Sequence, residues 1–256
     1  MSNGPRSAES TAGELIYAVG DVHGRHDLLV ALLALIVRDW QARAPGQRPL
    51  LVFCGDYVDR GPRSAEVIDA LIALQGRDDM RTVFLKGNHE QALMRFLDDP
   101  TQSAKWLRVG GVETLASYGV RAPRPDDPSA CFQARDRLLE RMPVSHRRFF
   151  EGLELMLVVG GYAFVHAGVR PGIDLAGQSE DDLLWIRQEF LDHGGPFEKV
   201  IVHGHSWIDD RAQHLPHRIG IDTGAFATGV LTAVRLDGQG VELIQARTDS
   251  PVAEPA

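Results

Sequence analysis

Only two cysteines occur in 256 residues, Cys54 and Cys131. That excludes a disulfide framework and a thiolate zinc site, since either needs several cysteines at short spacing. Cys54 closes a strand-like run and reads as core, whereas Cys131 stands alone in a polar segment. Basic charge is also scarce. Lys and Arg number 27 against 35 Asp and Glu, a formal net charge of −8, and no basic stripe runs along the chain. Nucleic acid is therefore not expected as a partner, because such binding needs a basic surface to displace counterions. Long apolar runs are missing too. The longest, Leu28 to Val37, carries a helical face and falls short of the roughly 20 residues that span a membrane. Met1 to Gly13 is polar and small-residue-rich, without the apolar stretch of a secretory signal. The expectation is a cytoplasmic protein with no membrane partner: residues 1–13 a flexible N-terminal segment, 14–247 one domain, 248–256 a flexible tail. With 44% hydrophobic residues, such a domain can bury one sizeable core without covalent staples. No internal repeat is present, and oligomeric state is not legible.

What the chain does contain is a series of short polar clusters, most of them following an apolar run. Leu15 to Val19 leads into Gly20-Asp21-Val22-His23, and Leu50 to Phe53 leads into Gly55-Asp56, with Asp59 and Arg60 close behind. Thr82 to Leu85 precedes Gly87-Asn88-His89-Glu90. Tyr162 to Val165 precedes His166-Ala167-Gly168, and Val200 to Val202 precedes His203-Gly204-His205. Apolar runs of this length read as buried strands, so their polar ends can converge where α/β sheets usually bind ligands. Carboxylate, imidazole and amide donors without thiolate suit Mn, Fe, Zn, Ni or Co in a hydrolytic centre better than a structural zinc knot. Asp21 and His23, one residue apart, would project to the same side of extended backbone.

The segments Gly20-Asp21-Val22-His23-Gly24, Gly55-Asp56-Tyr57-Val58-Asp59-Arg60-Gly61, Gly87-Asn88-His89-Glu90, His166-Ala167-Gly168 and Gly204-His205 resemble the signature of the calcineurin-like metallophosphoesterases. Within that superfamily the chain is most similar to bacterial and phage serine/threonine phosphatases, over roughly Leu15 to Ala246. The resemblance implies a four-layer αββα sandwich of two mixed β-sheets flanked by helices. It further implies two divalent cations, with Mn²⁺ first in expectation. Asp21 and His23 would bind one, Asn88, His166 and His205 the other, and Asp56 would bridge them. Attack by a metal-bridging hydroxide on a phosphoester would follow, with His89 as general acid, Asp59 orienting it, and Arg60, Arg187 and Asn88 binding the phosphoryl group. The implied partner is a phosphoprotein or a small phosphomonoester.

Two other functions compete. Symmetrical dinucleoside tetraphosphate hydrolases share the two-metal core but typically read Asn-His-Asp where Asn88-His89-Glu90 stands, and commonly depart from Asp59-Arg60-Gly61. A catalytically inactive metal-binding interaction module would be expected to lose ligands, acid or clamp, and none is missing. Trp106 to Leu115 also resembles bacterial protein phosphatases, with Val109 where many carry asparagine. The roles of His203 and of the 98–150 insertion stay open, although His203 reads as a support beside the ligands. Glu90 reads as a helix-starting acid, Asp222 as a turn residue, Ser64 as a helix cap, and His26, His146, His193, His214 and His217 as surface or capping residues. Helices are expected over Asp27 to Trp40, Ser64 to Leu74, Gln91 to Leu97, Gln133 to Arg141 and Ser145 to Glu151, with a surface loop at Arg121 to Ala130. Leu153 to Val165 reads as a hairpin across Gly160-Gly161. Arg218 to Ile221, Gly229 to Leu236 and Val241 to Gln245 read as closing strands.

Overall fold

The computed structural model describes residues 11–102 and 104–248. The expected flexible tail at 249–256 and most of the expected N-terminal segment lie outside these residues. In order the elements are β1 (Ile16–Val19), α1 (His26–Arg43), β2 (Leu50–Phe53), α2 (Ser64–Gln75), β3 (Arg81–Phe84), α3 (Asn88–Asp98), α4 (Ala104–Trp106), α5 (Val112–Ser117), α6 (Pro128–Arg141) and α7 (Val144–Glu151). There follow β4 (Met156–Val159), β5 (Tyr162–Val165), α8 (Glu180–Trp185), α9 (Gln188–Leu191), β6 (Val200–His203), β7 (Gln213–His214), β8 (Arg218–Gly220), α10 (Ala225–Thr228), β9 (Val230–Asp237) and β10 (Gly240–Arg247).

Two five-stranded sheets result, ordered β10-β9-β1-β2-β3 and β4-β5-β6-β8-β7. Both are mixed: β1 pairs parallel with β2, and β2 with β3, but β1 pairs antiparallel with β9, while β5 pairs parallel with β6 and antiparallel with β4. Side-chain alternation builds the layers. Ile16, Ala18, Leu50 and Val52 face Phe164, Val200 and Val202 between the sheets. Their neighbours Tyr17, Val19, Leu51 and Phe53 point the other way, onto Leu28, Leu32, Val67 and Leu71 of α1 and α2. On the far side, Ala163, Val165 and Ile201 bury against Leu183, Ile186 and Phe190. The outcome is two mixed sheets back to back with helices outside, the αββα sandwich implied by the sequence.

Several local expectations are corrected. The loop around Arg121 ends at Asp127, because that carboxylate caps Ala130 N–H and Pro128 starts α6 where its missing N–H costs nothing. Cys131, polar in its surroundings along the chain, is buried on that helix. Ser64 does not cap α2: it is already helical, and its Oγ accepts the Asp59 N–H instead. The short strand β7 and the helices α8 and α9 carried no signal strong enough to be read. His146 is not a surface residue. It is 1% exposed, with one ring nitrogen 2.8 Å from the Tyr118 hydroxyl and the other 2.9 Å from Asp69 on α2.

Removing one partner of a buried hydrogen bond costs about 1–3 kcal/mol, so His146→Leu should lower the unfolding free energy by about that amount in urea titration. A loss no larger than that of a surface control would show the His146 network to be energetically idle.

Candidate metal centre

The loops leaving β1, β2, β5 and β6, together with the start of α3, meet at one edge of the sandwich. The chain bends sharply there. Among the described residues, six non-glycine positions adopt positive φ, and five are His23 (43°), Asp56 (52°), Asp59 (72°), Arg60 (66°) and His205 (64°). Left-handed backbone at non-glycine residues costs energy and concentrates at functional sites. It also corrects one expectation: His23 is not extended, so it does not share a side with Asp21 through alternation.

Glu90 supplies much of what holds these bends. Its expected place at the start of α3 is observed, as the third helical residue with its carboxylate reaching back to the N–H of the N-cap Gly87. Its carboxylate does more than favour the helix terminus. It accepts N–H groups from Gly87 (2.9 Å), Asp56 (2.9 Å), Tyr57 (2.8 Å) and Val58 (3.3 Å), tying the β2 loop to α3. Burial, then the neighbouring Asp56 carboxylate, pushes Glu90 up to about 8. No motif reasoning assigned it this part.

Asp56 occupies the centre. Its carboxylate lies 3.5 Å from His23 Nε2, 3.4 Å from His166 Nε2 and 3.9 Å from His89 Nε2. Two sets of potential ligand atoms form around it, each with all atoms within 4.8 Å of one another: His23, Asp56 and His89, and Asp56, His166 and His205. Asp21 belongs to neither set. Its Oδ2 accepts the His205 N–H at 2.9 Å, while its Oδ1 is buried without a hydrogen-bond partner, as is His205 Nε2. Asn88 Oδ1 stands 2.8 Å from His166 Nε2.

Protonation states follow from the partners. His23 Nδ1 faces the Val58 carbonyl and His166 Nδ1 the Cys54 carbonyl, both at 2.8 Å. A carbonyl only accepts, so each Nδ1 carries the proton and each Nε2 turns a lone pair toward Asp56. Burial lowers His23 and His166 below the usual imidazole range and takes His205 down to about 2. All three are therefore neutral at pH 7, as metal-binding imidazoles must be. Acceptor facing acceptor at Asn88 and His166, with orphaned Asp21 Oδ1 and His205 Nε2 nearby, is an arrangement that cations relieve. The donor set fits a pair of divalent ions.

His89 differs. Burial alone would lower its pKa, but the Asp56 charge and a 2.6 Å hydrogen bond from Nδ1 to Asp59 Oδ2 raise it above the ordinary value. Asp59 is itself clamped: Thr114 Oγ1 donates to Oδ1 at 2.6 Å and Trp106 Nε1 donates to Oδ2 at 2.9 Å. These two residues come from the 98–150 insertion, on α4 and α5 either side of a π-type turn in which Gly110 (φ 121°) passes so close that its carbonyl accepts the Arg60 N–H. This stretch braces the Asp59–His89 pair, while its Val109 lines the cleft. Trp106 and Thr114 were missed as site residues, although their fixed distance from Gly110-Gly111 was visible.

The remaining residues sort plainly. Arg60 stacks its guanidinium 4.6 Å from the Phe226 ring and approaches His89 Nε2 at 3.2 Å. Arg187, at the start of α9, borders the same cleft as Arg60, Asn88 and His89, a space of about 850 Å³. His203 does not join the ligand sets. It is buried, with Nδ1 2.9 Å from the Gly204 carbonyl and its ring edge-on to Phe190. Asp222 does accept a turn N–H, from Gly224, but burial also pushes it up to about 6 beside Asp21.

Residues 15–219 match the family model for calcineurin-like phosphoesterases, and the chain belongs to that family. It is similar to the asymmetrical bis(5'-nucleosyl)-tetraphosphatase PrpE of Anoxybacillus flavithermus, with 26% identity over 85% of this chain and 88% of that one. It is similar as well to serine/threonine-protein phosphatase 1 of Salmonella typhimurium, with 27% identity over 86% of this chain and 91% of that one. A crystal structure of a proposed diadenosine tetraphosphatase shares the fold at TM-score 0.60 and 20% identity, covering 93% of this chain and 96% of that one. Among the described residues no helix is long and apolar enough to cross a membrane.

Because Asp56 is common to both ligand sets, Asp56→Asn should lower the content of both ions together after dialysis, measured by elemental analysis. His23→Ala should lower one. Trp106→Phe keeps the ring against Phe96 but removes the N–H to Asp59, and should reduce kcat about tenfold, the equivalent of about 1.4 kcal/mol, with KM unchanged.

Proposed function

We propose that the protein is a two-metal phosphomonoesterase, most closely a serine/threonine protein phosphatase, with Asp21, His23, Asp56, Asn88, His166 and His205 holding the ions. The observation that carries this reading is the single cleft in which Arg60, Arg187, Asn88 and His89 converge beside the Asp56-centred ligands. When bound, the ions supply Lewis acidity toward the phosphoryl group and lower the pKa of water to near neutrality. Everything else falls to the chain. Arg60 and Arg187 clamp the phosphoryl oxygens, offering two planar forks to a group that carries two negative charges.

His89 protonates the departing alkoxide. In the present state its Nε2 faces Arg60; a phosphoryl group drawing Arg60 away frees that atom to bear the proton it delivers. Asp59, fixed by Trp106 and Thr114, keeps Nδ1 protonated and stabilises the imidazolium form. The four histidines thus divide by environment into three kept neutral and one kept basic, the separation expected when ligand and acid roles are split.

The similarity to an asymmetrical bis(5'-nucleosyl)-tetraphosphatase supports a second reading, hydrolysis of dinucleoside polyphosphates. The residues at Asn88-His89-Glu90 and Asp59-Arg60-Gly61 weigh against the symmetrical type, and a phosphomonoester gains more from two arginines than an internal phosphoanhydride linkage does. With Mn²⁺ supplied, kcat/KM should be higher for at least one phosphoserine, phosphothreonine or phosphotyrosine peptide than for diadenosine tetraphosphate. A tenfold preference for the dinucleotide across a varied peptide panel would reverse the order of the two readings.

General acids contribute about 10²–10⁴-fold, so His89→Asn should slow alkyl phosphate hydrolysis by that factor while retaining both metals. p-Nitrophenyl phosphate, whose leaving group needs little protonation, should lose much less. Asp59→Asn removes a charge that raises the His89 pKa, so the alkaline limb of the kcat profile should move to lower pH. Equal losses on both substrates and an unmoved limb would take the acid role from His89.

A further inference from the structure

The cleft does not end at the metal ligands. Asn88, Ala92 and Arg95 lie on one face of α3, Asp99 follows its end, and all four line the cleft. Seven residues separate Asn88 from Arg95, about 10 Å along a helix axis. Lys105 lines the same cleft, with its Nζ 4.9 Å from the centre of the Trp185 ring. That ring is fixed in turn, because Trp185 Nε1 donates to Gln91 Oε1 at 2.9 Å. Arg95 and Lys105 are both exposed, and among the described residues neither forms an ion pair.

The chain has eight more acidic than basic residues. Elsewhere Arg43, Arg63, Arg77, Arg81, Arg170 and Arg247 each hold a carboxylate. Two carboxylates do border the cleft. Asp99 accepts the Thr101 N–H and hydroxyl, which occupies it on its own turn, and Asp98 is exposed one turn from Arg95 without pairing to it. Four cations against two acids line the cleft, and of these Arg95 lies about 10 Å along α3 from Asn88, away from the phosphoryl group proposed there.

We infer that the outer half of the cleft, between Arg95 and Lys105, is a specificity subsite for a second negative charge carried by the substrate, namely an acidic side chain of a phosphopeptide. The inference rests on the phosphomonoesterase reading and names the kind of substrate it prefers. An extended peptide advances about 3.3–3.6 Å per residue, so a span of about 10 Å sets the acidic residue about three positions from the phosphoserine. The two cations are solvent-facing, so the subsite acts through modest, salt-sensitive Coulomb attraction rather than a buried ion pair.

The test is a set of phosphoserine peptides carrying Asp, Ala or Lys three positions to either side, with rates normalised to p-nitrophenyl phosphate for each protein. Wild-type kcat/KM should fall in the order Asp, Ala, Lys, with about tenfold between the extremes at low salt if each cation contributes a surface pair's worth. The spread should shrink at high salt. Arg95→Glu combined with Lys105→Glu should invert the order, an outcome that a merely damaged fold cannot produce. Anisotropy titrations of the same peptides against His89→Asn protein should give the same ranking in binding.

Peptides hydrolysed without regard to charge would overturn the subsite while leaving the phosphatase reading intact. An order unchanged in the double variant would do the same. Loss of diadenosine tetraphosphate hydrolysis in the double variant, with peptide rates unmoved, would assign the cations to a phosphate chain and overturn the peptide occupant. No activity on any peptide beside normal p-nitrophenyl phosphate turnover would overturn the phosphoprotein reading itself.

Discussion

A carboxylate buried among imidazoles is the constraint on which the rest of the molecule depends. Asp56 is almost fully enclosed, so burial drives it to protonate, and positive charge among its neighbours opposes this. Two more carboxylates are buried beside it: burial and then Asp222 push Asp21 upward, and burial and then Asp56 push Asp222 upward. Such a collection is costly in a protein interior unless positive charge enters it. The surrounding architecture reads as the means of keeping it together. Glu90 pins the Asp56 loop by its backbone, Gly87 and Gly55 let strands and helix approach without side chains between them, and carbonyls of Cys54 and Val58 fix the imidazole tautomers.

The sequence was most informative where chemistry and strand pattern coincide. An apolar run ending in glycine and a ligand-type residue gives both a buried strand and its functional end, so β1, β2, β3, β5 and β6 and the residues that follow them were legible together. Residues that act on the site from a distance along the chain were not. Glu90 looked like an ordinary first-turn acid because nothing local reveals that four backbone N–H groups from other positions converge on it. Trp106 and Thr114 reach Asp59 across about fifty positions of chain, and His146 finds Asp69 across 77. The Asp21–His23 spacing misled for the opposite reason: periodicity assumes extended backbone, and His23 is left-handed.

The insertion between α3 and β4 has two separate relations to the centre. From behind, Trp106, Gly110 and Thr114 stiffen Asp59 and Arg60, a part that any substrate would require. In front, Lys105 lies on the open cleft, where only the outlying portion of a substrate could meet it. Neighbouring residues 105 and 106 therefore face different tasks, reactivity on one side and selectivity on the other. Relatives of similar overall identity bear the names of a tetraphosphatase and of a protein phosphatase. Within such a family the common metal centre says little about choice of substrate, which resides in what surrounds it.

The order of strands carries a further consequence. The second sheet is built from a continuous stretch, β4 to β8, whereas the first is completed by β9 and β10 after that stretch has been traversed. Of the ligand groups around Asp56, His23 and His89 belong to the first sheet's loops, and His166 and His205 to the second's. Neither half holds a finished centre, so occupancy of the site reports that both halves have formed and docked. An ion held by residues of both halves would act as a keystone: it would be gripped only once the arch is standing, and by the same linkage it would resist the arch coming apart.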